Sequence, residues 1–479
     1  MKSAYPFWIA GKATVSDQIV QVNHPTGGLV AEHYLPTDDD VERAVAAAWS
    51  VRHEAAATSA AKRAAALMHV SNQLQARHEE VARIITDEGG KPIMWSRVEV
   101  NRAISTFRWA AEEARRFGGE LQRIDTDATS EGRIGVIRRF PLGPVLGIAP
   151  FNFPLNLVAH KVAPALAVGA PIIIKPAAAT PISALILGEI LSETDLPAGM
   201  WSILPISREA TSRITTDERL PILSFTGSDT VGYEIQKLIP HKHVILELGG
   251  NAAAVVLDDW SSEQDIEFAA TRIATFGASQ AGQSCISVQR VIIHDAIYDK
   301  IVPKIVDKTQ ALTLTDAYDE KTVVGPLINE ANAQRVEQWV DEAVAGGAKV
   351  LTGGQRDGAY YQATVLTDVP GKAKVSACEV FGPVIVLTRV KSTEEAFAVV
   401  NDSDYGLQAG VFTHDIQTAF LAQSTLEVGG VIIGDVPAFR ADHMPYGGLK
   451  NSGVGKEGVR WAMEDLTHER IMVLTDLTL

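Results

Sequence analysis

The sequence predicts an α/β protein of more than one domain, on three observations. Short apolar runs alternate with helical stretches along most of the chain. A long, Ala-rich helical region precedes them, and 479 residues exceed what one ordinary core holds. Strand followed by helix, repeated, builds a parallel sheet covered on both faces. At about 150 residues per domain, the length allows roughly three.

From Thr37 to about Gly118 the pattern is helical. Thr37-Asp38-Asp39-Asp40 offers a cap and negative charge to a helix start, and Gly89-Gly90 and Gly118-Gly119 mark turns. Apolar runs at 134–138, 144–148, 171–174, 222–225 and 244–246 read as strands, with helices at 155–168, 181–192 and 230–238 between most of them. A second alternating region begins near Ala252. It carries helices at 263–276 and 329–345 and strands at 288–293, 384–388 and 430–433. After a Gly-rich segment at 447–458, residues 469–479 return to a strand-like pattern.

Composition narrows the function. Apolar content of 46% with 21% charge is ordinary for a globular protein, and a net charge of −15 argues against nucleic-acid or anionic-membrane partners. Two cysteines, Cys285 and Cys378, make a disulfide framework improbable and favour a reducing cytoplasm. The opening Met1-Lys2-Ser3-Ala4-Tyr5-Pro6 has no apolar run of the secretory kind. The most apolar region, 145–174, is interrupted by Asn152, Asn156, His160 and Lys161, which a lipid-facing helix would not tolerate. His and carboxylate residues do not cluster at metal-ligand spacings.

Cys285 sits in Gly282-Gln283-Ser284-Cys285-Ile286, a small-residue stretch that makes it the first candidate nucleophile. Upstream lie Pro150-Phe151-Asn152-Phe153-Pro154 and Glu247-Leu248-Gly249-Gly250-Asn251; downstream lies Glu379-Val380-Phe381-Gly382-Pro383. In this order and at these separations the four motifs are specific. Over nearly its whole length the chain resembles the NAD(P)-dependent aldehyde dehydrogenase superfamily. The resemblance implies the aldehyde dehydrogenase fold: a Rossmann-like cofactor domain at 1–119 and 140–247, an α/β catalytic domain at 248–446, and a small β lobe for oligomerisation at 120–139 and 460–479. In that family the tail joins the earlier hairpin and adds to a partner subunit's sheet, which implies a homodimer or homotetramer.

Oxidising an aldehyde with a nicotinamide needs a nucleophile, an oxyanion stabiliser and a base that activates water for deacylation. Cys285 would form a thiohemiacetal and then a thioester; on its own, the residue also reads as a small buried hydrophobe. The Asn152 amide can donate to the oxyanion together with the Cys285 backbone N–H, or it can cap the helix expected from Leu155. Glu247 ends an apolar strand before two glycines, either as the base or as a solvated strand-end charge. The resemblance makes it the water-activating residue and weighs against passing the acyl group to coenzyme A. Glu457 matches a position linked to proton relay or structural support, and equally reads as a surface charge.

No Gly-x-Gly-x-x-Gly follows a strand. The resemblance instead places the cofactor on Lys175, on the Phe225-Thr226-Gly227-Ser228 helix start, and on Glu379 and Phe381. Cys378 stands where relatives commonly have a first acid and reads as an inert thiol. Many NAD-preferring relatives have a glutamate at the position of Ala178, so the repulsion of a 2′-phosphate is gone. Arg208 could reach such a phosphate or pair with Glu209. Together these tilt the cofactor to NADP over NAD.

Phe153, Asn156 and His160 follow the catalytic Asn, and Asn156 and His160 share a helical face. With Arg102 and Arg440 they suggest a substrate tunnel for a small polar or anionic aldehyde, held by charge-assisted contacts. Each has a plainer reading: Asn156 as a cap, His160 as a satisfied core histidine, Arg102 paired with Glu99 or Glu112. The resemblance is nearest the lactaldehyde, phosphonoacetaldehyde and non-phosphorylating glyceraldehyde-3-phosphate dehydrogenases. A broad-specificity or aromatic/semialdehyde dehydrogenase is the alternative, and a coenzyme A-acylating enzyme would need coenzyme A for product formation. A cysteine hydrolase would leave Lys175 and Glu379 without a role.

Overall fold

The structure, a computed structural model, describes residues 4–312 and 314–476. The helical region resolves into Asp38–Ala57, Ala60–Ala76, His78–Gly89 and Ile93–Arg116. Thr37 starts it as expected: its hydroxyl accepts from the Asp40 N–H while the Asp40 carboxylate accepts from the Thr37 N–H, a reciprocal capping box.

Two large sheets organise the rest. The first has eight strands, in the order Lys12–Thr14, Phe7–Ile9, Trp201–Ile203, Ile172–Lys175, Val145–Ile148, Ile222–Thr226, His243–Glu247 and Gly453–Val454. Its central pairs are parallel and its outer pairs antiparallel. The register sets Ile148 beside Lys175 and beside Phe225, and Thr226 beside Glu247. The carboxyl ends of four neighbouring parallel strands therefore finish together, where ligands bind in open α/β sheets.

The second sheet has seven strands, in the order Lys349–Thr352, Thr364–Thr367, Val384–Val390, Arg290–His294, Ala253–Val256, Gln408–Phe412 and Gly430–Ile433, parallel except for its first pair. A third, antiparallel sheet joins Gly119–Arg123 and Arg133–Pro141 to the tail strand Thr467–Thr475.

Several elements differ from expectation. The strands Phe7–Ile9, Lys12–Thr14, Ile19–Asn23 and Leu29–Tyr34 carry no clear sequence signal, because such short pieces are too brief for a period to register. The strand expected from 288 begins at Arg290, since the Val288 N–H is spent on the Phe276 carbonyl (3.2 Å). Residues 460–465, expected with the β lobe, lie in the helix Val459–Asp465, and Val459 and Met463 join the core of the first sheet. Residues 477–479 of the expected tail strand, and residues 1–3, lie outside the described residues. Among the described residues no helix is long and apolar enough to cross a membrane.

Candidate active site

A cavity of about 730 Å³ opens at the carboxyl ends of the first sheet. Asn152, Lys175, Ala178, Phe225, Gly227, Ser228, Glu247, Cys285, Glu379, Phe381 and Arg440 all line it. Arg102 and Phe153 line an adjoining cavity of about 240 Å³, and Arg440 borders both. Arg208 lines neither; it is exposed at the start of the helix Arg208–Thr215. Asn156 and His160 also line neither, being buried in the helix Asn156–Val168.

The loop that presents Cys285 is bent by three successive left-handed residues, Gln280 (φ 51°), Ala281 (φ 54°) and Gly282 (φ 67°). A Cβ on Gly282 would come 2.1 Å from the Gly382 carbonyl oxygen, so only glycine fits. For Gln280 and Ala281 the conformation costs about 1–2 kcal/mol each, which the surrounding bonds must offset. Gln280 donates to the Asn152 carbonyl, and the Asn152 amide donates to the Gln283 carbonyl (3.0 Å). The Cys285 loop and Asn152 are thereby tied together. Asn152 caps no helix, because Glu99 accepts from the Leu155 and Asn156 N–H groups (2.9 and 3.1 Å) in its place. Among the described residues, one Asn152 amide hydrogen has no partner and its buried Oδ1 has none.

Cys285 is partly exposed, with Sγ 3.0 Å from the Tyr446 hydroxyl. Burial pushes its thiol up to about 11; Tyr446 and Arg440 pull the other way. Glu247 ends its strand 3% exposed, with neither carboxylate oxygen hydrogen-bonded among the described residues. Burial, reinforced by the charge of Glu457, holds its carboxyl well above the usual range. Arg440, Lys161 and the Glu457 backbone N–H pull the other way without overcoming it.

Glu457 is buried as well, which excludes a surface role, and it is paired on both sides. Lys161 lies 3.3 Å from one oxygen and Arg440 2.9 Å from the other. Burial opposes its charge, but Lys161 and Arg440 outweigh burial and hold the carboxyl well below the usual range. Arg440 also lies 3.8 Å above the Tyr446 ring, and its buried Nε has no partner among the described residues. Behind it Asp442 accepts from Arg102 (2.9 and 3.1 Å), His160 (3.0 Å) and Asn156 (3.4 Å). Arg102 thus pairs with Asp442 rather than Glu99 or Glu112, and Asn156 and His160 brace the arginines from behind. Burial, then the charge of Arg440, lowers the pKa of His160 and keeps it neutral.

At the other end of the cavity the Lys175 ammonium makes no hydrogen bond or ion pair with any described residue. Ser228 caps the helix Asp229–Leu238, whose N-terminus faces the same space. Glu379 accepts from the Gly250 N–H (3.0 Å), and burial raises its carboxyl to about 7. A Cβ on Gly249 would come 2.5 Å from a Glu379 oxygen, so that glycine allows the carboxylate its place. Phe381 meets Phe151 edge-on, and Cys378 borders the cavity beside it. An unpaired cation, a helix N-terminus and a poised carboxylate fit a nucleotide bearing a pyrophosphate and a ribose.

The profile of the aldehyde dehydrogenase family matches residues 8–472. The chain belongs to that family. It is similar to 3-sulfolactaldehyde dehydrogenase of Priestia aryabhattai, 43% identical over 98% of each chain. Among solved structures it superposes on aldehyde dehydrogenase 21 of Physcomitrella patens in complex with the reaction product succinate, with a TM-score of 0.97 and 43% identity over 100% of this chain and 99% of that one. It also superposes on an NADP-dependent glyceraldehyde-3-phosphate dehydrogenase of Bacillus halodurans C-125 complexed with NADP, with a TM-score of 0.93 and 30% identity over 99% of this chain and 100% of that one. The protein is an aldehyde dehydrogenase, and its cofactor is NAD or NADP. Sequence reasoning gave no role to Tyr446, Asp442 or Lys161 in this site. Tyr446 stood in view within Pro445-Tyr446-Gly447-Gly448, and an acid between Arg440 and His443 was the signal for Asp442.

Proposed function

We propose that this aldehyde dehydrogenase oxidises a small aldehyde bearing an anionic or polar group, 2-hydroxy, carboxylate, sulfonate, phosphate or phosphonate, to the acid. The observation that carries the proposal is Arg440: buried, bordering both cavities, and holding an unpartnered Nε. A buried donor left unpaired is costly, and an oxyanion head group would satisfy it. Arg102 adds a second cation at the adjoining cavity. The names of the relatives agree in chemistry, since a sulfonate, a carboxylate product and a phosphate each occur among them.

Cys285 attacks the carbonyl carbon, and the free Asn152 amide hydrogen receives the developing oxyanion. Bound at Lys175, Ser228 and Glu379, NAD or NADP would accept a hydride. Glu247, once ionised, takes a proton from the water that cleaves the thioester, and Glu457 stays charged beside Lys161 and Arg440. Ala178 presents no carboxylate to a 2′-phosphate, which favours NADP over NAD; Arg208 lies away from the cavity and adds nothing. A homodimer or homotetramer is supported by the tail strand at a sheet edge with Ile471, Met472 and Val473 exposed, and a cytoplasmic setting by two free cysteines.

The test is kcat/KM for succinate semialdehyde against butanal, with lactaldehyde, glyceraldehyde-3-phosphate and benzaldehyde alongside, using NAD and NADP in parallel. The proposal expects the charged aldehyde to exceed butanal by at least about tenfold. Equal values, or a preference for benzaldehyde, would remove the anion-binding role from Arg440.

A further inference from the structure

We propose that Tyr446 is a catalytic residue whose hydroxyl is the hydrogen-bond donor that stabilises the Cys285 thiolate, with Arg440 on its ring linking that donor to the anion-binding end of the site. The proposal rests on Cys285 being the nucleophile of the proposed function. Tyr446 is 4% exposed, and the Cys285 sulfur, 3.0 Å away, is the only hydrogen-bond partner of its hydroxyl among the described residues. Its ring packs with Ile286 and Leu407, a task that phenylalanine would perform equally well. The hydroxyl is therefore an addition that packing does not require.

As a partner for a neutral thiol, the hydroxyl gains little, because S–H and S are weak donor and acceptor. Facing a thiolate it gains much more, since bonds to ionised groups are roughly twice as strong. When the thiol proton leaves to water, the O–H need only turn about its C–O bond to point at sulfur; no heavy atom moves. The Arg440 guanidinium, 3.8 Å above the ring, draws electron density from the phenol and sharpens its O–H as a donor. Burial holds the phenol well above its ordinary pKa, so Tyr446 keeps its proton and remains able to donate it to the thiolate. The sulfur lone pair then forms the bond to the aldehyde carbon, and the carbonyl π pair moves to oxygen.

The experiment is the rate of carboxamidomethylation of Cys285 by iodoacetamide as a function of pH, read as the mass of the Cys285 peptide in the cofactor-free full-length chain. Sulfur bonds to carbon as iodide leaves, so neither aldehyde nor nicotinamide is involved. In Tyr446→Phe the midpoint is expected to move upward by about one to two pH units, with alkylation at pH 8 slowed about tenfold or more, while NADP affinity is unchanged. Coincident profiles overturn the proposal. If Tyr446→Phe does not fold, the wild-type chain made with 3-fluorotyrosine reverses the sign: its stronger phenol donor lowers the midpoint, and an unmoved midpoint overturns the proposal equally. The peptide mass reads the thiol itself, so failure here is distinct from failure of the nucleophile assignment, which Cys285→Ala tests by turnover.

Discussion

Two buried carboxylates border the same cavity in opposite circumstances. Glu247, at the end of a parallel strand, has both oxygens unpartnered and its carboxyl held well above the usual range. Glu457, from the Gly-rich segment near the carboxyl end, has Lys161 and Arg440 on its two oxygens and is held well below it. Burial pushes both upward, and the cations decide the difference. In the proposed mechanism the group that gives and takes a proton is left without a counter-ion, whereas the group that stays charged is given two. The same wall thus holds one carboxyl that favours its proton and one fixed anion.

The comparison breaks most visibly at Glu247. Glu247→Gln should lower steady-state kcat by about a hundred- to ten-thousandfold with chain stability nearly intact, measured by NADPH formation and thermal melting. Glu457→Gln should reverse the emphasis. It leaves two buried cations short of an anion and costs about 3 kcal/mol of stability in urea unfolding. It also removes a negative neighbour from Glu247, so the acid limb of the kcat–pH profile should move to lower pH; an unmoved limb would separate the two groups.

Smaller effects sharpen the comparison through pH. Glu379 is raised to about 7, so the stability tied to its protonated form is present below its ordinary value of 4.5 and lost as pH rises toward 7. Asp442 is depressed, against its own burial, by His160 and Arg102; its contribution is present above 3.8 and lost as pH falls below it. Melting temperature against pH should therefore flatten on the neutral side in Glu379→Gln and on the acid side in Asp442→Asn. The smallest change is Ser228→Ala, which removes a helix cap worth about 1 kcal/mol and should weaken NADP binding only slightly.

The strands and the residues gathered around the cavity were legible because they depend on local pattern. Buried parallel strands such as Ile172–Lys175 show as apolar runs, and Cys285, Asn152, Glu247 and Glu379 stand in short motifs that the fold brings to one cavity. What was not legible depends on long-range pairing. Nothing near Arg102 in sequence says that Asp442 will hold it, nor that Asn156 and His160 will brace Asp442 from behind instead of lining the substrate cavity. Tyr446 lies just before a Gly-rich segment whose fold gives no periodic signal, so its place on the Cys285 sulfur shows only in three dimensions. Arg208 marks the reverse error, a chemically suitable residue that the helix start carries away from the cavity.

The division of labour between the two carboxylates is tested most directly by rapid mixing of Glu247→Gln with NADP and succinate semialdehyde, followed by the mass of the Cys285 peptide. One equivalent of NADPH formed in a burst, slow turnover afterwards, and an acyl group retained on Cys285 are the results expected. A linear trace at the wild-type rate with an unmodified Cys285 peptide would contradict the assignment of Glu247 as the deacylating base.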